Sequence, residues 1–255
     1  MKVDYKAWYS KELGQKMEFK IYGDSGKPVL AFPATNGRFY DFENFGIIDA
    51  CKDYIANGQI QLYTLDSVDQ QSWLNKHISA QKKVARHKQY VSYIMKEIVP
   101  FIQNNSTHNG SFMVTGCGMG GYHSANFYFR YPNIFDSMIS LSGLYSLDFA
   151  VGDYVDEDIY FNSPIAYLTN LTDANYLNKY CGGCIVIATG QGAGYWEEQS
   201  LKDVYALKGI LEQKNIFAWV DIWGHDVTHD WYWWRKMLPY FLSHCGMKKE
   251  CRRTT

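Results

Sequence analysis

The chain has 255 residues, 47% of them apolar, with 25 basic against 26 acidic side chains and a formal net charge of −1. This is the composition of a globular protein long enough for one undivided domain with a large core, not of a disordered or membrane-spanning chain. The balanced charge gives no footing for nucleic acid, and no run reaches the roughly 18 apolar residues of a bilayer span.

The N-terminal segment MKVDYKAWYSKELGQ carries lysines but no apolar stretch behind them. It does not read as a secretory signal, and a cytoplasmic location is expected, although a mature secreted form freed of its leader would look the same apart from Met1. Short apolar runs then alternate with longer amphipathic ones, the pattern of a mostly parallel sheet covered by helices. Strands are expected at Met17–Tyr22, Pro28–Phe32, Ile60–Leu65, Phe112–Thr115, Met138–Leu141, Ile185–Thr189 and Phe217–Ile222. Helices are expected at Glu43–Asn57, Lys82–Gln103, Gly121–Tyr131, Glu197–Gln213 and Trp231–His244. Val84, Val91, Ile94, Ile98 and Phe101 recur at helical spacing, so that face should meet the sheet, with Pro100 kinking or shortening the helix near its end. Residues Phe149–Tyr180 have no clear period and read as an excursion over the top of the sheet.

Of the six cysteines, Cys181 and Cys184 have CxxC spacing just before an expected strand. With no second CxxC or paired histidine they read as two reduced thiols. No H-E-x-x-H, EF-hand or P-loop occurs, so neither a metal nor a nucleotide cofactor is expected.

Ligands of open α/β sheets bind beyond the carboxyl ends of the strands. After Phe112–Thr115 comes Gly116-Cys117-Gly118-Met119-Gly120-Gly121 and then a helix, a G-x-S-x-G nucleophile elbow with glycine at its centre. Glycines two before and two after the apex remove side chains that would collide in the turn. The amide after the apex, Met119, aims at a developing oxyanion. Cys117 beside the apex reads as a buried thiol.

The stretch TGCGMGGYHSANFYFR resembles the TGCSMGGYH segment of the Putative esterase family, which is related to S-formylglutathione hydrolase (esterase D) and the mycolyltransferases. YPNIFDSMISLSGLY, FPATNGRFYDFENFG, DSVDQQSW, GQGAGYWEE and HDWYWWRKMLPYFL extend the resemblance over most of the chain. It implies one α/β-hydrolase domain over residues 1–255, a three-layer sandwich with helices on both faces of a mostly parallel sheet. In that fold the triad runs nucleophile, acid, histidine. The loop after the last strand offers His225 and His229, and the family's HDW motif selects His229. The loop after Ile185–Thr189 offers Glu197, favoured by the mycolyltransferase pattern, with Glu198 as the alternative and Asp203 further into the helix. The second oxyanion amide is expected at Thr35 or Asn36.

Arg38, Trp73 and Trp196 are candidate substrate contacts, although Arg38 could instead pair with Asp41 or Glu43. Asp66 and Asp69 could line the pocket or serve a turn, and His123 reads as a packed histidine. The resemblance implies a carboxylic-ester hydrolase acting on a small-molecule ester without a cofactor. Gly118 has no hydroxyl, so no acyl-enzyme can form at the apex. The chain is therefore expected to be an inactivated esterase. A natural non-catalytic binding homologue and an acyltransferase are the rival expectations. A homo-oligomer is left open, and the aromatic segment Trp231–Phe241 reads as core packing.

Overall fold

The computed structural model describes residues 1–245. The strands are β1 (Val3–Ser10), β2 (Gln15–Tyr22), β3 (Lys27–Phe32), β4 (Ile60–Leu65), β5 (Phe112–Cys117), β6 (Phe135–Leu141), β7 (Cys184–Thr189) and β8 (Trp219–Ile222). They form one eight-stranded sheet in the order β1-β2-β4-β3-β5-β6-β7-β8. β1 and β2 run antiparallel to their neighbours, and every pair from β4 to β8 is parallel.

The central strands are buried on both faces, as parallel strands covered by helices must be. Successive residues face opposite layers. Leu30, Phe32, Val114, Met138, Ile185 and Ile187 join one core, and Val29, Ala31, Met113, Ile139, Val186 and Ala188 join the other. The second core is closed by α1 (Asp41–Asn44), α2 (Ile47–Ala50), α3 (Lys52–Ala56) and, from the far end of the chain, α12 (Trp231–Cys245). The first is closed by α4 (Ala80–Tyr93), α5 (Val99–Asn105), α6 (Met119–Arg130) and α11 (Tyr195–Gln213). The arrangement is the expected three-layer α/β-hydrolase fold. The expected single domain includes residues 246–255, which lie outside the described residues.

Three expectations are corrected. The helix expected over Glu43–Asn57 is three short ones: Gly46 at φ 79° breaks the ladder between the first two, and Cys51 separates the second from the third. The long helix before β5 contains a π turn, Ile94–Ile98, just ahead of Pro100. Proline has no N–H to return to the preceding turn, and the wider turn accommodates that loss. β1 was not expected at all. It is an edge strand whose residues alternate between exposed and half-buried, so it lacks an apolar run. It is held by β2 and by Glu97, which accepts from Trp8 Nε1 and Ser10 Oγ, each at 2.8 Å.

The Phe149–Tyr180 excursion holds α8 (Glu157–Tyr160), α9 (Pro164–Asn170) and α10 (Ala174–Cys181), preceded by α7 (Asp148–Val151). It begins beside the elbow, where Leu147, Ala150 and Ile159 pack with Met119 and Tyr122. It then descends along α6, where Tyr122 Oη donates to Asn162 O and Asn126 Nδ2 to Asn162 Oδ1. Most of it buttresses that helix rather than roofing the sheet.

The expectation of reduced thiols is also corrected. Cys184 is joined to Cys245 by a disulfide, so the start of β7 is tied to the last turn of α12. A partner 61 residues away is not announced by local spacing. Cys251 lies outside the described residues. No helix among the described residues is long and apolar enough to cross a membrane. A cross-link closing so long a loop constrains the unfolded chain, so Cys245→Ser is expected to lose about 2–4 kcal/mol of unfolding free energy in urea. Equal stability of the variant and the oxidised parent would contradict this role.

Candidate active site

β5 enters α6 through Gly118 at φ 56° and ψ −116°, a backbone region that side chains rarely adopt. The turn is tight enough that a Cβ at Gly120 would lie 2.3 Å from Phe32 O, and one at Gly116 would lie 2.4 Å from Gly120 O. Both flanking glycines are thus required by close backbone approach. α6 has no side-chain cap, yet every residue from Met119 to Phe129 is buried, so tertiary packing rather than capping secures it. Met119 N–H is the first of the helix and has no acceptor within it. Its side chain turns inward against Trp73 and Tyr122.

Two loops reach this apex. A side-chain carbon attached at Gly118 would lie 3.0 Å from His229 Nε2, 3.7 Å from His229 Cε1 and 3.4 Å from Thr35 Oγ1. Thr35 is carried by a tight turn after β3, closed by Gly37 N–H donating to Ala34 O at 2.8 Å, with Asn36 at φ 61°. The sequence suggested the backbone of Thr35 or Asn36. The closeness of the Thr35 hydroxyl had no sequence signal, because any residue can occupy that turn position.

His229 immediately precedes Asp230, whose carboxylate accepts from Tyr232 N–H at 2.9 Å and Trp233 N–H at 3.3 Å at the start of α12. The helix start thereby fixes the histidine. Trp234, one turn on, meets the imidazole edge-to-face at 5.0 Å, and its Nε1 donates to Ser142 Oγ at 3.1 Å. This support was missed, because His229 lies before the helix and a five-residue offset is not a helical neighbour spacing. Burial pushes the His229 imidazole below its ordinary range, while the charges of Glu197 and Asp230 pull it back up.

Glu197 lies in the first turn of α11, where the helix dipole favours a carboxylate. Its Oε1 accepts from His229 N–H at 2.8 Å. The ring nitrogen Nδ1 is buried and makes no hydrogen bond to the protein. The carboxylate is therefore engaged with the backbone of the histidine rather than its ring. Glu198 is exposed and makes no such contact. The two loops are zipped together by Gly192 N–H donating to Val227 O at 3.0 Å, and a Cβ at Gly190 would meet that same oxygen at 2.1 Å.

The remaining candidates divide. Trp196 is exposed beside Glu197. Trp73 is only 1% exposed and stacks near His87 and Tyr122 behind the elbow, so it supports α6 instead of offering a contact surface. Arg38 pairs with neither Asp41 nor Glu43 through its guanidinium. The fork donates to both oxygens of Asp66, at 2.7 and 3.0 Å, and to Glu18 at 3.1 Å, which engages it without a substrate. His225 is exposed against Gln191 O, away from the apex. Buried Asp203 accepts from Tyr145 and Ser146 N–H at 2.7 and 2.8 Å and shapes the loop after β6. Cys117 is fully buried, and desolvation raises its thiol well above the ordinary range. His123 is buried with Nε2 2.8 Å from Asp69 Oδ1. Among the described residues no group of three or more His, Cys, Asp or Glu is arranged to hold a metal ion.

The family model described as "Putative esterase" matches residues 10–244. No curated protein matches the chain. Among solved structures, a ferulic acid esterase superposes with a TM-score of 0.73 at 15% identity, covering 96% of this chain and 97% of the other. An S-formylglutathione hydrolase from Agrobacterium tumefaciens gives 0.71 at 12% identity, covering 94% and 93%. Mycobacterium tuberculosis MPT51 (FbpC1) gives 0.67 at 13% identity, covering 94% and 97%. At such low identity these likenesses speak for the fold alone, whereas the family match spans nearly all of the described chain: the protein belongs to the Putative esterase family of α/β-hydrolases.

Proposed function

We propose that this chain is the scaffold of a serine-type carboxylic-ester hydrolase for a small-molecule ester, disabled because glycine occupies the nucleophile position. One observation carries the reading: a side chain at Gly118 would project to within 3.0 Å of His229 Nε2. That is a close contact for a side-chain carbon, so with the imidazole yielding slightly a hydroxyl there comes within reach of a general base, and the site forms an acyl-enzyme only with such a nucleophile.

With serine at the apex, the hydroxyl oxygen attacks the ester carbonyl as its proton passes to His229 Nε2. Met119 N–H, with the Thr35 region, faces the oxyanion. The tetrahedral intermediate collapses, His229 returns the proton to the leaving alcohol, and water then releases the acid by the same route. Glu197 supports the imidazolium by its charge, and a side-chain rotation would move it from the histidine backbone to Nδ1. In the chain as it stands, these groups bind and polarise an ester that no side chain attacks. The intact histidine, carboxylate and amides favour a disabled hydrolase over a long-established binding homologue.

Disulfides persist in oxidising compartments. The Cys184–Cys245 bridge therefore favours such a location over the cytoplasm expected from the sequence. The ferulic acid esterase likeness makes aryl and hydroxycinnamate esters sensible first substrates beside short p-nitrophenyl esters.

Gly118→Ser is expected to raise kcat/KM on p-nitrophenyl acetate by about 10³-fold or more, and adding His229→Ala should abolish the gain. The same serine must adopt a strained backbone, at a cost of about 1–3 kcal/mol. Denaturant unfolding should thus find Gly118→Ser less stable than the parent. No gain in hydrolysis in a folded variant refutes the reading. In the Gly118→Ser background, Glu197→Gln should lower kcat by about 10²–10⁴-fold with KM nearly unchanged, while Glu198→Gln leaves both alone. The reverse ranking would reassign the acid. Because burial disfavours the imidazolium, the neutral base persists to lower pH than in free histidine. The acid limb of kcat/KM for Gly118→Ser is expected below pH 6.5, and a midpoint at or above that value contradicts the assignment.

A further inference from the structure

At the opposite end of α6 from the elbow lies an open cavity of about 550 Å³. Arg130 is eleven helical steps on from Met119, so the cavity lies about 17 Å from the apex. Its walls are aromatic, with Tyr131, Tyr160, Phe161 and Tyr176 contributed by the end of α6 and by α8, the residue after it, and α10. Phe161 and Tyr176 are 48% and 38% exposed, so the cavity opens to solvent.

Two polar side chains, Arg130 and Tyr167, belong to this lining. Arg130 is half-buried, donates to the neutral amide Asn162 Oδ1 and lies over the Tyr131 ring. Among the described residues no carboxylate forms an ion pair with it. A partly exposed guanidinium with no carboxylate partner is available to an anion. Tyr167 is only 7% exposed and its hydroxyl makes no hydrogen bond to the protein, a costly state for a buried donor. Burial holds this hydroxyl well above the ordinary tyrosine range, against the opposing pull of the Arg130 charge, so it remains a donor. Asp173 also lines the cavity, but it is exposed and its Oδ1 accepts from Asn175 N–H at the start of α10.

We propose that this cavity is a second ligand site, separate from Gly118, which takes a monocyclic aromatic carboxylate: the ring lies among Tyr131, Phe161 and Tyr176, and the carboxylate receives hydrogen bonds from Arg130 and the Tyr167 hydroxyl. The volume is within the range of small-molecule pockets, and a guanidinium with a second donor suits a carboxylate. The aromatic walls select a flat ring over a puckered one.

The test is calorimetric and NMR titration of the whole chain with benzoate, cyclohexanecarboxylate and benzamide. Benzoate is expected to bind most tightly, with each of the other two at least about tenfold weaker. Tyr167→Phe, which removes only the hydroxyl, should weaken benzoate about tenfold. Arg130→Gln should abolish binding, with thermal unfolding confirming that both variants are folded. If Arg130→Gln fails to fold, Tyr167→Phe alone decides. The proposal is overturned by no benzoate binding up to about 10 mM, a concentration that would reveal millimolar affinity. It is equally overturned if benzoate affinity is unchanged in Tyr167→Phe, or if Trp196→Ala, at the Gly118 end, removes it while Arg130→Gln does not. In the Gly118→Ser background, Tyr167→Phe should leave ester hydrolysis unaltered, which keeps this site distinct from the proposed hydrolytic one.

Discussion

Between Gly116 and Gly120 the chain leaves the centre of the sheet and enters α6 against the carbonyl of Phe32, with no room for a Cβ at either glycine. That close approach fixes where the apex stands relative to β3. Thr35 Oγ1 and His229 Nε2 lie 3.4 and 3.0 Å from where a side-chain carbon at the apex would be. The helix needs no cap because it is buried along nearly its whole length, and the excursion after β6 packs along it. Positioning the apex and packing the core are therefore the same constraint. A residue such as Trp73 can lie close to the site in the fold and serve only to support it.

The sheet was legible because its central strands are continuous apolar runs bounded by turn residues, the pattern of parallel strands buried on both faces. β1 was not, because its residues alternate in exposure without an apolar run and its anchor, Glu97, lies 87 residues from Ser10. The helix between β3 and β4 was read as continuous because the apolar spacing around Ile47, Ile48 and Ile55 persists through Gly46. Only the backbone reveals that this glycine takes a left-handed conformation. The disulfide was invisible for a similar reason: Cys184 and Cys245 meet only once α12 has packed back onto the sheet.

At the site, the motif carried His229 and the apex, since both follow from fixed positions around a strand-to-helix turn and a helix start. Glu197 and Glu198 are neighbours in sequence, and only the helix geometry turns the first toward His229 and the second to solvent. Arg38 was read against the nearest carboxylates in sequence. Its true partners, Asp66 and Glu18, come from the loop after β4 and from β2. Long-range pairing of this kind depends on strand order, which local reading does not supply. Gly118 is the reverse case: the sequence alone shows an apex without a hydroxyl, and the fold places His229 Nε2 3.0 Å from where a side-chain carbon there would lie.

The central claim is that a hydroxyl at the apex would be a nucleophile poised against His229. Intact-mass spectrometry of Gly118→Ser after exposure to a fluorophosphonate, with peptide mapping, tests it most directly, since the reagent labels only activated hydroxyls and needs no knowledge of the natural ester. The account predicts one phosphonyl group on the peptide containing residue 118, absent from the parent chain and lost when His229→Ala is added. A folded Gly118→Ser protein that stays unlabelled, or carries its label elsewhere, would contradict it.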